Sequence, residues 1–341
     1  MAGPVAKSFA VRLRAYAAAH FAFDEHLELA WPDARAVLQS EYTGGPDGRA
    51  YAVTLYGEIV GCADSLSQAQ QRLGGALGNV LPLVAVAANA AVDDPLAIGA
   101  FGLNLPEPQD FMWYASPQAA DWFPPGARRI QPEATLTFLA AVGHHPETDL
   151  LFRATESYRR ALGNWVPERR LMAGEFLYIA AETLSRCLIE TRSQEQGLTP
   201  KNLAKSLKAK GPDDLRLRYL RDEIFAGDDA ALDAMRAASD GFEHGYMAVH
   251  EVLGLTDQVL ERTMSSVRRA LILAAGVATE IERVLLSDDY AEPRGLVPAL
   301  HVVTGQLILK DPRSRPRQTS RASSSTTRGP RPKPPRPRKA K

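Results

Sequence analysis

The hydrophobic period of this chain turns lastingly helical at one point, and that change limits the fold more than any other feature. Ahead of Pro124-Pro125-Gly126 apolar residues mostly alternate with polar ones; after it they recur every three or four positions. A period of two suits a strand with one buried face, and 3.6 suits a helix with an apolar stripe. This order predicts an α+β chain. A small antiparallel sheet-plus-helix domain would occupy 1–125 and an all-α helical bundle 126–290.

In the first part, residues 8–17 set Phe9, Val11 and Leu13 against Ser8, Arg12 and Arg14. Residues 22–29 and 34–42 alternate similarly around the turn Trp31-Pro32-Asp33, and 49–60 follow a Gly-rich turn. Four strands with short turns predict a meander. Asp64 and Ser65 can cap a helix whose Leu66, Ala69, Leu73 and Leu77 share one face and would cover the sheet. Pro82 kinks or restarts that helix. Gly74, Gly75 and Gly78 read as small residues for close packing, and 101–105 and 111–116 as edge strands.

In the second part, helices are predicted over 134–142, stopped by Gly143, and over 146–164 and 167–192. The third carries Leu177, Ala181, Leu184 and Leu188 as its stripe, with Glu175, Glu182 and Arg186 on another face. Shorter helices follow at 200–208, 212–225 and 228–238, and a long one begins at Thr256. In the last, Leu260, Val267, Ala274 and Ile281 are spaced by seven, as are Met264, Leu271, Ala278 and Leu285. Two interleaved sevens suit bundle core or a homodimer seam. Residues 299–309, within 291–311, can form a strand that returns to the sheet.

The formal net charge of zero hides an asymmetry. Residues 312–341 hold 11 Lys plus Arg and no acid, which leaves 29 basic against 40 acidic residues in 1–311. A segment with seven prolines and no aliphatic side chain larger than Ala cannot build a core, so a disordered Pro/Arg/Lys-rich tail is expected. Within it, Arg328, Arg331, Lys333, Arg336, Arg338, Lys339 and Lys341 suit contact with the phosphates of RNA or another nucleic acid. No aromatic residue stands among them to stack on bases. Cys62 and Cys187 are too few for a disulfide framework or a zinc site. The longest apolar run, 80–92, contains Pro82 and Asn89 and is shorter than the roughly 20 residues a membrane span needs. No secretory leader is visible, so a cytoplasmic protein without cofactor, metal or membrane partner is expected.

The densest collection of reactive side chains is 235–250, with Arg236, Asp240, Glu243, His244 and His250. Asp240-Gly241 is expected to end a helix, leaving His244 at a helix end. An Arg that neutralises a phosphate and a His that moves a proton suffice for metal-independent RNA cleavage; the same residues also suit a structural turn. His144-His145-Pro146-Glu147 reads as a helix stop and start, and Asp24, Glu25, His26 and Glu28 as a solvated strand face.

Asn164-Trp165, the run from Glu175 to Glu182, and Phe242-Glu243-His244-Gly245 before a long closing helix resemble the HEPN superfamily, and most of all its ApeA-like branch. The resemblance covers roughly 132–288. It implies a compact, often dimeric helical bundle, ribonucleolytic in active members, where an Arg holds the scissile phosphate and a His acts as acid or base. His244 matches that His. The family Arg would fall at Ala237, Ala238 or Ser239; Arg236 leaves seven residues before His244. The resemblance therefore implies a HEPN-like module that binds RNA or a protein partner. One alternative is a metal-independent endoribonuclease of toxin or antiphage type, with His244 as acid/base and Arg236 as phosphate holder; another is a structural assembly protein.

Overall fold

A computed structural model describes residues 7–44, 50–103, 112–113 and 127–296. The expected boundary at 124–126, the strand expected at 299–309 and the whole basic tail, with its seven named Arg and Lys residues, lie outside these.

The chain is α+β. Its strands are β1 (Lys7–Tyr16), β2 (Ala19–His20), β3 (His26–Trp31), β4 (Ala34–Gly44) and β5 (Ala50–Ala63), then β6 (Leu96–Leu103), β7 (Met112–Trp113) and β8 (Arg128–Arg129). Six of them form one antiparallel sheet in the order β3-β4-β5-β1-β6-β7; β2 and β8 pair apart, in parallel. The meander holds for β3 to β5 only. β1 lies between β5 and β6, with Val11 opposite both Ile59 and Ala100. Alternation predicts which face of a strand is buried and carries no information about its neighbour.

Helix α1 (Leu66–Gly78) covers one sheet face, and Ser65 accepts from the Gln68 amide at its start. Gly57 and Gly61 make the close approach possible: a Cβ there would stand 2.7 Å from Leu77 Cδ2 and 2.8 Å from Leu73 Cδ2. Gly75 does not serve packing as expected, since nothing lies within 4 Å of where its Cβ would be. Helix α2 (Leu81–Ala88) restarts at Pro82, is buried throughout, and ends on Asn89 in the left-handed region at φ 46°.

The bundle comprises α3 (Pro132–His144), α4 (Thr148–Gly163), α5 (Arg170–Glu195), α6 (Pro200–Ser206) and α7 (Pro212–Tyr219), then α8 (Asp229–His244), α9 (Val249–Ala274) and α10 (Thr279–Leu285). Gly143 does not stop α3. The last long helix begins at Val249 rather than Thr256, and Gly276 at φ 70° breaks the heptad run, so Ile281 and Leu285 belong to a separate helix. Leu260, Met264, Val267 and Leu271 are buried inside this one chain. They are bundle core; self-association through α9 would have to use other residues. None of the described helices is long and apolar enough to cross a membrane.

The apolar residues of sheet and bundle share one core. A buried polar hub ties it together. Arg268 of α9, 3% exposed, donates to Val86 O and Ala87 O (both 2.9 Å) and to Leu285 O (2.6 Å). Arg128 reaches Ala88 O and Asn89 O, and its guanidinium lies over the Tyr290 ring. Asn89 donates to Tyr290 O and accepts from the Tyr158 hydroxyl at 2.6 Å. Helix carbonyls here take the place of carboxylates, because the last turn of a helix leaves acceptors open and is partially negative. The hub also holds the end of the described chain, where Arg294 forms a parallel bridge to Ala90.

Candidate functional site

The segment 235–250 is a tight hairpin between α8 and α9. Asp228 caps α8 by accepting from the Ala231 amide at 3.0 Å, and Arg262 holds Asp228 at 2.7 Å. Ala231, Leu232, Met235, Ala238 and Ser239 form the buried stripe. The helix does not end at Asp240-Gly241 as expected. It continues to His244 and stops at Gly245, at φ 66°, where glycine is favoured. Gly241 is tolerated mid-helix because Met247 fills the space its side chain would need. Ala248 then donates its amide to Glu251 at 3.0 Å and α9 begins.

His244 is the exposed last residue of α8, so its expected place at a helix end is correct although the stated cause was not. It makes no hydrogen bond among the described residues. Arg236, also exposed, lies eight positions earlier on the same helix, or about 12 Å along the axis. Its Nε is 4.0 Å from Asp240 Oδ2, and Asp240 lies between the two. The described geometry therefore does not bring Arg236 and His244 onto one substrate atom. His250 is exposed on α9. His144 closes α3 and His145 Nδ1 accepts from the Glu147 amide at 3.1 Å, a helix stop and start as expected. Asp24 and Glu25 fall in a turn before β3 rather than in a strand, and Glu25 pairs with Arg129.

Glu175 of α5, whose burial the sequence does not show, borders this hairpin. Its carboxyl faces α8 and is 8% exposed, and Ser239 Oγ donates to it at 3.2 Å. Burial holds its pKa above the ordinary carboxylate range; the Ser239 bond opposes this and nearby Glu243 adds to it. One turn on, burial pushes the Tyr178 hydroxyl up to about 12, with Glu182 adding to the shift and Arg236 and Arg216 opposing it. Arg216 Nη1 is 3.5 Å from Glu182 Oε1. The spacing of 175, 178 and 182 was the available signal, since such residues share one helix face. The face is thus half-buried and polar, with each of its two arginines set against a carboxylate. Among the described residues no group of three or more His, Cys, Asp or Glu is placed to hold a metal.

No family model, curated protein or solved structure matches this chain.

Proposed function

We propose that this chain is a HEPN-like module that binds RNA through charge and does not cut it. The supporting observation is the spacing of Arg236 and His244, two turns apart with Asp240 set against the arginine. A phosphate held at Arg236 would meet the Asp240 carboxylate and would lie far from the imidazole. The tail at 312–341, with 11 cationic residues and no acid, supplies phosphate affinity to a chain whose remainder is net acidic.

The test is RNA affinity across a salt series. The wild type is compared with a variant carrying Gln at Arg328, Arg331, Lys333, Arg336, Arg338, Lys339 and Lys341. Each phosphate contact adds about 0.7 to the slope of log affinity against log salt for a single strand. The substituted chain should show a slope shallower by as much as about 5. Absence of RNA binding by the wild type would overturn the reading and favour a structural assembly protein.

A second reading, a metal-independent endoribonuclease, rests on the exposure of His244 at a helix end without a hydrogen-bond partner. Incubation of RNA with chelator decides it. No cleavage by the wild type is expected; cleavage that His244→Ala abolishes would make the protein an enzyme.

A further inference from the structure

Lysine is rare in this chain and unevenly placed. Of nine lysines, four lie within ten residues: Lys201, Lys205, Lys208 and Lys210. Only Lys7 otherwise falls among the described residues. All four are exposed, on α6 and the turn that follows it. None forms an ion pair among the described residues, where nearly every ion pair instead takes an arginine as its cation.

The local structure presents these charges and consumes the nearest acid. Leu203 and Ala204 anchor α6 in a small core with Ile189 and Leu215, separate from the main one. Arg218 donates to Leu207 O and Lys208 O, which pins the turn. Asp214 accepts from the Lys210 amide at 2.9 Å and pairs with Arg218 at 2.9 Å, so its charge is neutralised from within. Asp213 alone remains as an exposed carboxylate in that stretch. Lys201 and Lys205, spaced by four, share one side of α6, and Lys208, at φ 54°, and Lys210 extend the cluster into the turn that follows.

We infer that this row is a second contact surface for the RNA phosphate backbone, on the folded body rather than in the tail. The inference rests on the RNA-binding reading above. Charge complementarity carries it, because four unpaired ammonium groups stand on a region, 1–311, whose acids outnumber its bases 40 to 29. Lysine is a hydrated point charge on a flexible stem, suited to phosphate contact without a fixed geometry. No aromatic residue lies between 200 and 210, so contact there reads backbone and not base sequence.

The experiment places Gln at all four positions in the full chain and measures affinity for a single-stranded RNA across a salt series. Circular dichroism and melting confirm an unchanged fold. Affinity should fall on the order of 10- to 100-fold at low salt, and the salt slope should become shallower by about 2 to 3. If the wild type binds RNA while the variant keeps both affinity and slope, the surface is refuted and the tail reading stands. If the wild type binds no RNA, both readings fail together. If the variant loses affinity for polyglutamate while its RNA affinity is unchanged, the surface serves an acidic protein, and the RNA assignment is overturned.

Discussion

Arg268 should be the most costly polar residue in the chain to replace. Its guanidinium is buried at the meeting of α2, α9, α10 and the 290–294 segment, and burial pushes its pKa down to about 10. It remains charged at neutral pH, with no carboxylate partner among the described residues. Arg268→Met keeps most of the volume and removes every donor. Val86 O and Tyr290 O, the latter reached by Arg268 Nη1 at 3.4 Å, retain other donors in Asn89, through its amide and its side chain. Ala87 O and Leu285 O lose the only donor described for them. A stranded buried acceptor costs about 1–3 kcal/mol, so two cost about 2–6. Removing a buried charge that lacks a counter-ion returns part of that. The net expectation is a loss of about 2–4 kcal/mol, or roughly 3–6 °C in melting temperature for a unit of this size. Urea unfolding measures it, provided the denaturant slope is unchanged. Arg268→Lys, with fewer donors and a shorter reach, should fall between the two. A loss under about 1 kcal/mol for Arg268→Met would refute the claim that these carbonyls depend on the guanidinium.

Two glycine substitutions probe helix packing, one in α5 beside the site and one in α1. Gly174→Ala would set a Cβ 2.6 Å from Thr256 Cγ2 between α5 and α9 and should cost about 1–3 kcal/mol by thermal melting. Gly75→Ala, with nothing within 4 Å, should instead stabilise α1 by up to about 1 kcal/mol; equal effects would contradict the packing argument. Glu175→Gln tests the buried carboxyl. The folded chain holds that proton more tightly than the unfolded chain does, so wild-type stability is greatest below the ordinary carboxylate range and falls as pH rises to the raised value. The variant lacks this term, and its stability relative to wild type should rise through that window and then level off. A pH-independent difference would show that Glu175 is not held above its ordinary range.

Element types were legible because one face of nearly every strand and helix is buried, and burial leaves a period. Leu73 and Leu77 could be assigned to one face of α1 from spacing alone. What they rest on, Gly57 and Gly61 of β5, could not, because pairing across the sheet leaves no local trace. The continuation of α8 through Gly241 was hidden for a related reason. Glycine costs a helix interior about 1 kcal/mol, and only the packing of Met247 shows why that is tolerated. The hub was invisible. Arg268 adjoins Arg269 on a helix and reads as a surface pair, while its acceptors at Val86 and Ala87 lie some 180 residues away in sequence. Spacing places Glu175 on a face other than the leucine stripe, but leaves no sign that this face is buried against α8.

The two cationic residue types divide the work in this fold. Arg159, 8% exposed at its side chain, binds Glu156, Asp94 and Val92 O at once, and Arg268 spans several carbonyls. A planar fork with five donors suits that task, and an ammonium does not. The lysines of α6 and its turn touch none of these networks. Neutralising them should therefore change affinity at constant melting temperature, whereas replacing Arg159 or Arg268 should lower the melting temperature first. If binding and stability instead moved together for the lysines, their exposure would not have been the reason for their placement. The row would then be a structural part of α6, and the division of roles between the two cations would fail with it.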